Sequence, residues 1–167
     1  MTERTAAPAA ERTGGPAAPG SQPGFEMRRE IPATLEAAEE LIAEFNRQCK
    51  ALLDRKSCFG AELLVREALT NAVAHGSHCD AGQRVRCCLR LKRGRLLIAV
   101  EDYGCGFDWR AAWDSQAALP DCSGRGIEIL RKYATSVRYN DRGNSVVIVK
   151  RLLQGVTVQG AIKEKQS

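Results

Sequence analysis

Close cysteine pairs, aromatic residues, long apolar runs and net charge are all scarce in this sequence, and each shortage removes a class of function. No apolar run approaches the roughly 20 residues that cross a bilayer, so a soluble protein with no membrane partner is expected. The first residues lack an apolar stretch between a basic start and a small-residue cleavage site, which makes the cytoplasm the expected location. The seven cysteines, Cys49, Cys58, Cys79, Cys87, Cys88, Cys105 and Cys122, form no C-x-x-C pair. They read as reduced thiols packing as small apolar side chains, not as a disulfide framework or a zinc site. Aromatics are only 5% of the chain, and 25 Lys and Arg against 20 Asp and Glu leave a mild +5. Both weigh against a dedicated nucleic-acid binder, which stacks bases on aromatics and gathers charge on one face.

What is present fits one domain, because 167 residues can bury a single sizeable core. Residues 1–24, rich in Ala, Pro, Gly, Thr and Ser, are expected to be a disordered arm, since they carry too little apolar surface to offset the entropy of ordering. The ordered domain is expected over 25–153, with a flexible tail at 154–167. Phe25, Met27 and Ile31 alternate with charged residues in a strand pattern that ends near Pro32. Thr34 reads as an N-cap for a helix whose apolar positions, from Leu35 through Leu53, recur every three or four residues.

A second helix is expected from Ala61 to His75, closed by Gly76 in the left-handed conformation. Strict alternation over 83–92, a turn at Arg93-Gly94 and a return strand over 95–101 predict a hairpin that delivers Asp102 at its end. A loop is expected over 108–123, then a helix opening at Gly124-Arg125-Gly126, then strands near 135–139 and 145–152. The pattern predicts an α+β two-layer sandwich: a mixed, mostly antiparallel sheet with helices on one face and an Arg-lined face in water.

Three short motifs stand in order, and each can meet one part of ATP. Asp102 at a strand end can accept a hydrogen bond from the exocyclic amine of adenine, which the carbonyl of guanine cannot donate. Gly104 and Gly106 remove side chains where the backbone must pass close to base and sugar. Gly124, Arg125 and Gly126 open a helix, whose N-terminal N–H groups favour phosphate. On the second helix Glu67, Asn71 and His75 fall at i, i+4 and i+8 on one stripe. Asn71 offers an amide oxygen to Mg²⁺, and Glu67 can orient or deprotonate an attacking hydroxyl. His75 reads as a helix-end residue, and the basic residues Arg84, Arg86, Arg90, Lys92, Arg93 and Arg95 as a solvated strand surface, not a specific nucleic-acid site.

At these motifs the sequence resembles the ATPase family shared by gyrases, heat-shock chaperones and sensor histidine kinases, and more narrowly the bacterial anti-sigma-factor serine kinases. The resemblance rests on Glu62 to Gly76, Asp102 to Phe107 and Gly124 to Ile127, and covers about Phe25 to Leu152. It implies Glu67 as general base, Asn71 as magnesium ligand, Asp102 as adenine reader and 108–123 as an ATP lid. It also implies protein partners, a sigma factor or an antagonist phosphorylated on serine, and such domains often form homodimers. The closing Gly-Thr-Thr of that family is represented here by Gly143-Asn144-Ser145. The sequence leaves one other reading open, a non-catalytic ATP-binding module in a signalling assembly.

Overall fold

The computed structural model describes residues 24–78, 80–114 and 125–152. The expected arm and tail, Cys79, Cys122, Gly124 and most of the expected lid fall outside these residues. Strand β1 (Phe25–Pro32) leads into helix α1 (Leu35–Leu52), which starts where the sequence places it: the Thr34 side chain accepts from the Ala37 amide at 3.2 Å. The apolar stripe of α1 buries Ala38, Leu41, Ile42, Phe45 and Cys49.

Helix α2 (Arg55–Asn71) begins two turns earlier than expected. Asp54 caps it, accepting from the amides of Lys56 and Ser57 at 2.9 Å each. The first two turns carry Lys56, Ser57 and Gly60 and so hide the apolar period, yet Gly60 sits where a Cβ would press on Tyr133 at 2.9 Å. The far end is also corrected. The chain passes from α2 into a π-helical turn over Ala72–Gly76, and Gly76 is not in the left-handed region; His78 is, with φ 52°. A π turn widens the helix locally and is frequent at functional sites.

Strands β2 (Arg84–Lys92) and β3 (Arg95–Asp102) form the expected hairpin, Arg93 and Gly94 both having positive φ, as a two-residue type I′ turn requires. The expected loop is corrected in part. Trp109–Asp114 form a short helix, α3, capped by Asp108, whose carboxylate accepts from the amides of Arg110 and Ala111 at 3.1 and 3.0 Å. Helix α4 (Arg125–Tyr133) and strands β4 (Ser136–Tyr139) and β5 (Ser145–Arg151) complete the chain.

The strands lie in the order β1-β2-β3-β5-β4, and all four pairings are antiparallel. Helices α1 and α2 pack together and lie on one face of this sheet. The two-layer α+β arrangement is as the sequence predicts. Between the layers Phe45, Leu64, Leu69, Leu89, Ile98 and Ile148 are fully buried. Among the described residues every cysteine is a free thiol, and burial pushes Cys87 up to about 12 and Cys49 higher still, as expected of inert packing groups. No helix among the described residues is long and apolar enough to cross a membrane.

Candidate functional site

A cleft of about 490 Å³ opens between α2, α4 and the carboxyl end of β3, a size that suits a nucleotide-sized ligand. Glu67, Asn71, Asp102, Gly106 and Gly126 all line it, so residues from three separate stretches of sequence share one wall. Nine residues of α2 and its π extension separate Glu67 from Gly76, about 13 Å at the helical rise.

At the Gly76 end, everything closes on Asp102. Its residue exposure is 6%, and Oδ1 accepts from the Gly104 amide at 2.8 Å, while Oδ2 takes no donor from the described residues. Gly76 and Gly104 are there because nothing larger fits. A Cβ on Gly76 would lie 2.3 Å from the Asp102 carboxyl carbon, and one on Gly104 would lie 1.9 Å from the Gly76 carbonyl oxygen. Burial raises the Asp102 pKa above the ordinary carboxylate value, with the Gly104 amide pulling the other way.

Behind Asp102, the turn between β4 and β5 holds the strand end. The Asp102 amide donates to the Asn144 carbonyl at 3.0 Å, and Asn144 Nδ2 donates back to the Asp102 carbonyl at 2.7 Å. Asn140 in turn fastens that loop, its Oδ1 accepting from the Gly143 and Asn144 amides at 2.8 and 3.1 Å. Gly106 and Gly143, with φ of 77° and 80°, interlock beside them: a Cβ on either would strike the other turn's backbone at 1.9 or 2.2 Å. Asn144 is thus spent on the backbone, and Ser145 supplies the hydroxyl in the cleft lining.

At the other end Asn71 Nδ2 donates to Glu67 Oε1 at 2.8 Å, which leaves the Asn71 amide oxygen and Glu67 Oε2 uncommitted among the described residues. Gly126, at the start of α4, lies so close that a Cβ would stand 2.0 Å from Glu67 Oε1. Gly124 lies outside the described residues, as does the Arg125 side chain. His75 lines the cleft from an exposed position.

Sequence reasoning missed three features. Gly76 reads as a helix stop but serves as the floor beneath Asp102. Asn140 had no motif to announce it. Four of the nine aromatic residues, Phe107, Trp109, Trp113 and Tyr139, line the cleft. Tyr139 meets Phe107 edge-on at 5.5 Å and stacks on Trp109 at 5.6 Å. Trp109 Nε1 donates to the Asn140 carbonyl at 2.9 Å, tying this wall to the loop behind Asp102. The Asp108 cap was the available signal for α3. Burial, with the Glu67 charge adding to it, pushes the Tyr139 phenol up to about 12, so it stays protonated at neutral pH.

These five glycine contacts, the buried carboxylate and the Glu67–Asn71 pair coincide with a match over residues 31–150 to the family described as histidine kinase-like ATPase domain. The chain belongs to that family. No curated protein matches it significantly. As a histidine-kinase-like ATPase domain it implies ATP as ligand, and the residues present fit: Asp102 Oδ2 is an acceptor without a donor among the described residues, and the glycines leave backbone exposed along the cleft. Among the described residues no three His, Cys, Asp or Glu side chains cluster to hold a metal. A magnesium ion here would have the Asn71 amide oxygen as its protein ligand, the rest of its shell being phosphate oxygens and water.

Proposed function

We propose that this domain binds ATP with Mg²⁺ and transfers its terminal phosphate to a serine of a partner protein, in the manner of an anti-sigma-factor kinase. The partners on this reading are a sigma factor, an anti-sigma antagonist, or both. One observation carries it. Glu67 is half-buried in the cleft, accepts a hydrogen bond only from Asn71, and has no cation within ion-pair distance among the described residues. A half-buried carboxylate kept for structure normally has a cation or several donors upon it. Left with Oε2 open, Glu67 is suited to accept a proton.

Bound ATP would supply the phosphoryl group. Each residue then has one task. Asp102 Oδ2 accepts from the adenine amine and so excludes guanine. Asn71 would offer its amide oxygen to a magnesium ion, because its nitrogen is held by Glu67 Oε1. Gly126 lets the start of α4, with its partial positive charge, approach the phosphate end. Glu67 would take the serine hydroxyl proton at Oε2 as the oxygen bonds to the terminal phosphorus and the bond from that phosphorus to the bridging oxygen breaks, releasing ADP.

The test is incubation of the protein with radiolabelled ATP and co-encoded single-domain antagonist candidates. Label recovered as phosphoserine on one of them supports the kinase. Tight ATP binding with no transfer to any candidate would replace it with a non-catalytic ATP-binding module.

A further inference from the structure

Among the described residues, only one face of the sheet carries helices. The antiparallel register sorts the side chains of the other, outward face into rows across the strands. One row runs Arg28, Cys88, Ala99, Val147, Arg138, and the next Glu26, Arg90, Leu97, Val149, Ser136. At the hairpin end a third row sets Lys92, Arg95 and Arg151 side by side.

The face therefore has an aliphatic middle. Leu97, Ala99 and Val149 are only half-buried, and Val147 is exposed. Its border is basic. With Arg84 and Arg86 in line on β2, the face holds eight cations against Glu26, Glu30 and Glu101, a net +5. That equals the formal charge of the whole chain, so every other charge sums to zero. The three carboxylates are already paired with Arg28 and Arg86, whereas Arg90, Lys92, Arg95, Arg138 and Arg151 meet no carboxylate among the described residues. Like charges directly opposite on neighbouring strands are destabilising, so the Lys92–Arg95–Arg151 row costs stability with no return inside the fold.

We propose that this outward face docks an acidic segment of another protein, its aliphatic side chains on Leu97, Ala99, Val147 and Val149 and its carboxylates on the surrounding cations. An apolar middle with a charged rim is the anatomy of a protein interface. The alternatives fit less well. Residues 1–23 carry two acids and two bases, and 153–167 two bases and one acid, so neither end of the chain supplies the missing negative charge. A second copy would set +5 against +5. Nucleic acid gains nothing from an aliphatic middle, and the one aromatic beside these rows among the described residues, Tyr103, already has the Arg86 guanidinium over its ring at 5.0 Å. The inference is independent of the kinase reading, because the face lies on the side of the sheet away from the helices that border the cleft.

The experiment titrates the isotope-labelled full chain, followed by NMR at about 150 mM salt, with two 12-residue peptides and a 20-base-pair DNA duplex. One peptide alternates Glu with Val, the other Glu with Ser. The Glu/Val peptide should shift the amides of β3 and β5 and bind at least ~10-fold tighter than the Glu/Ser peptide, since only it uses the aliphatic middle. Val147→Asp and Arg95→Glu should each weaken it by a similar factor. The melting temperature of Arg95→Glu should stay level or rise, which separates lost docking from lost folding. Equal binding of the two peptides, no binding, or tighter binding of the duplex would overturn the proposal. So would a wild-type dimer in sedimentation that Val147→Asp dissociates.

Discussion

The two ends of the cleft are built by different means. At Asp102 the fit is made by backbone against backbone: Gly104 lies on the Gly76 carbonyl, Gly106 and Gly143 interlock, and Asn144 ties the strand end in both directions. At Glu67 the fit is made by two side chains of α2, joined by one Asn71 hydrogen bond and covered by Gly126 of α4. Backbone contacts cannot yield without moving whole elements, whereas a carboxylate end can swing. The first end is suited to selecting a ligand and the second to a group that must accept a proton and release it. Mutations should therefore separate the ends, affinity failing at one and turnover at the other.

The largest expected effect is on turnover. Glu67→Gln keeps the hydrogen bond from Asn71, because the amide oxygen of Gln still accepts, but removes the proposed base. Phosphate transfer should fall by ~10²- to 10⁴-fold while ATP affinity, measured by calorimetry, barely changes. Asn71→Ala should lower both, since it removes the proposed metal ligand and frees Glu67. Unchanged transfer in Glu67→Gln would erase the distinction between the two ends.

Next come the paired glycines. Gly104→Ala places a Cβ 1.9 Å from the Gly76 carbonyl, a backbone atom, and should cost ATP affinity ~100-fold or more together with several degrees of melting temperature. Gly126→Ala meets the movable Glu67 carboxylate and should cost no more than ~10-fold in affinity, with melting close to wild type. Equal damage from both would mean that the Glu67 end is as rigid as the Asp102 end.

Asp102→Asn should weaken ATP by ~10- to 100-fold, the scale of one charge-assisted hydrogen bond, and ATP should outbind GTP in the wild type. The smallest effect has the opposite sign. Burial raises the Asp102 pKa in the folded state, so the folded protein disfavours the carboxylate that the unfolded chain accepts readily. Relative to wild type, the Asn variant without nucleotide should melt higher at pH 7. The gain should shrink as pH falls through the Asp102 pKa and vanish below the unfolded value, where both states hold the neutral acid. A variant that melts lower at pH 7 would show the carboxylate to be a structural support and not a ligand-binding group held at a cost.

Much of this molecule was legible along the chain. Helix α1 could be read residue by residue, because its cap and its apolar period are both local. The β2–β3 hairpin was equally plain, from strict alternation before Arg93-Gly94 and a return strand after it, which placed Asp102 at a strand end. The π turn, the cap at Asp54 and helix α3 escaped, since the first two turns of α2 lack an apolar stripe and α3 is too short to show a period.

The sequence by itself determined the elements, their order and the layer each would join, because hydrophobic period, capping and turn chemistry act between residues a few positions apart. Only the tertiary structure decided what those elements make together. It set Gly76 against a carboxylate 26 positions later, held Asp102 by Asn144 from 42 positions further on, and gathered Phe107, Trp109 and Tyr139 into one wall. It also placed side chains whose charges sum to the chain's net charge on one sheet face that carries no helix among the described residues. Those contacts join residues remote in the chain, and strand register, not any local pattern, brings them within reach.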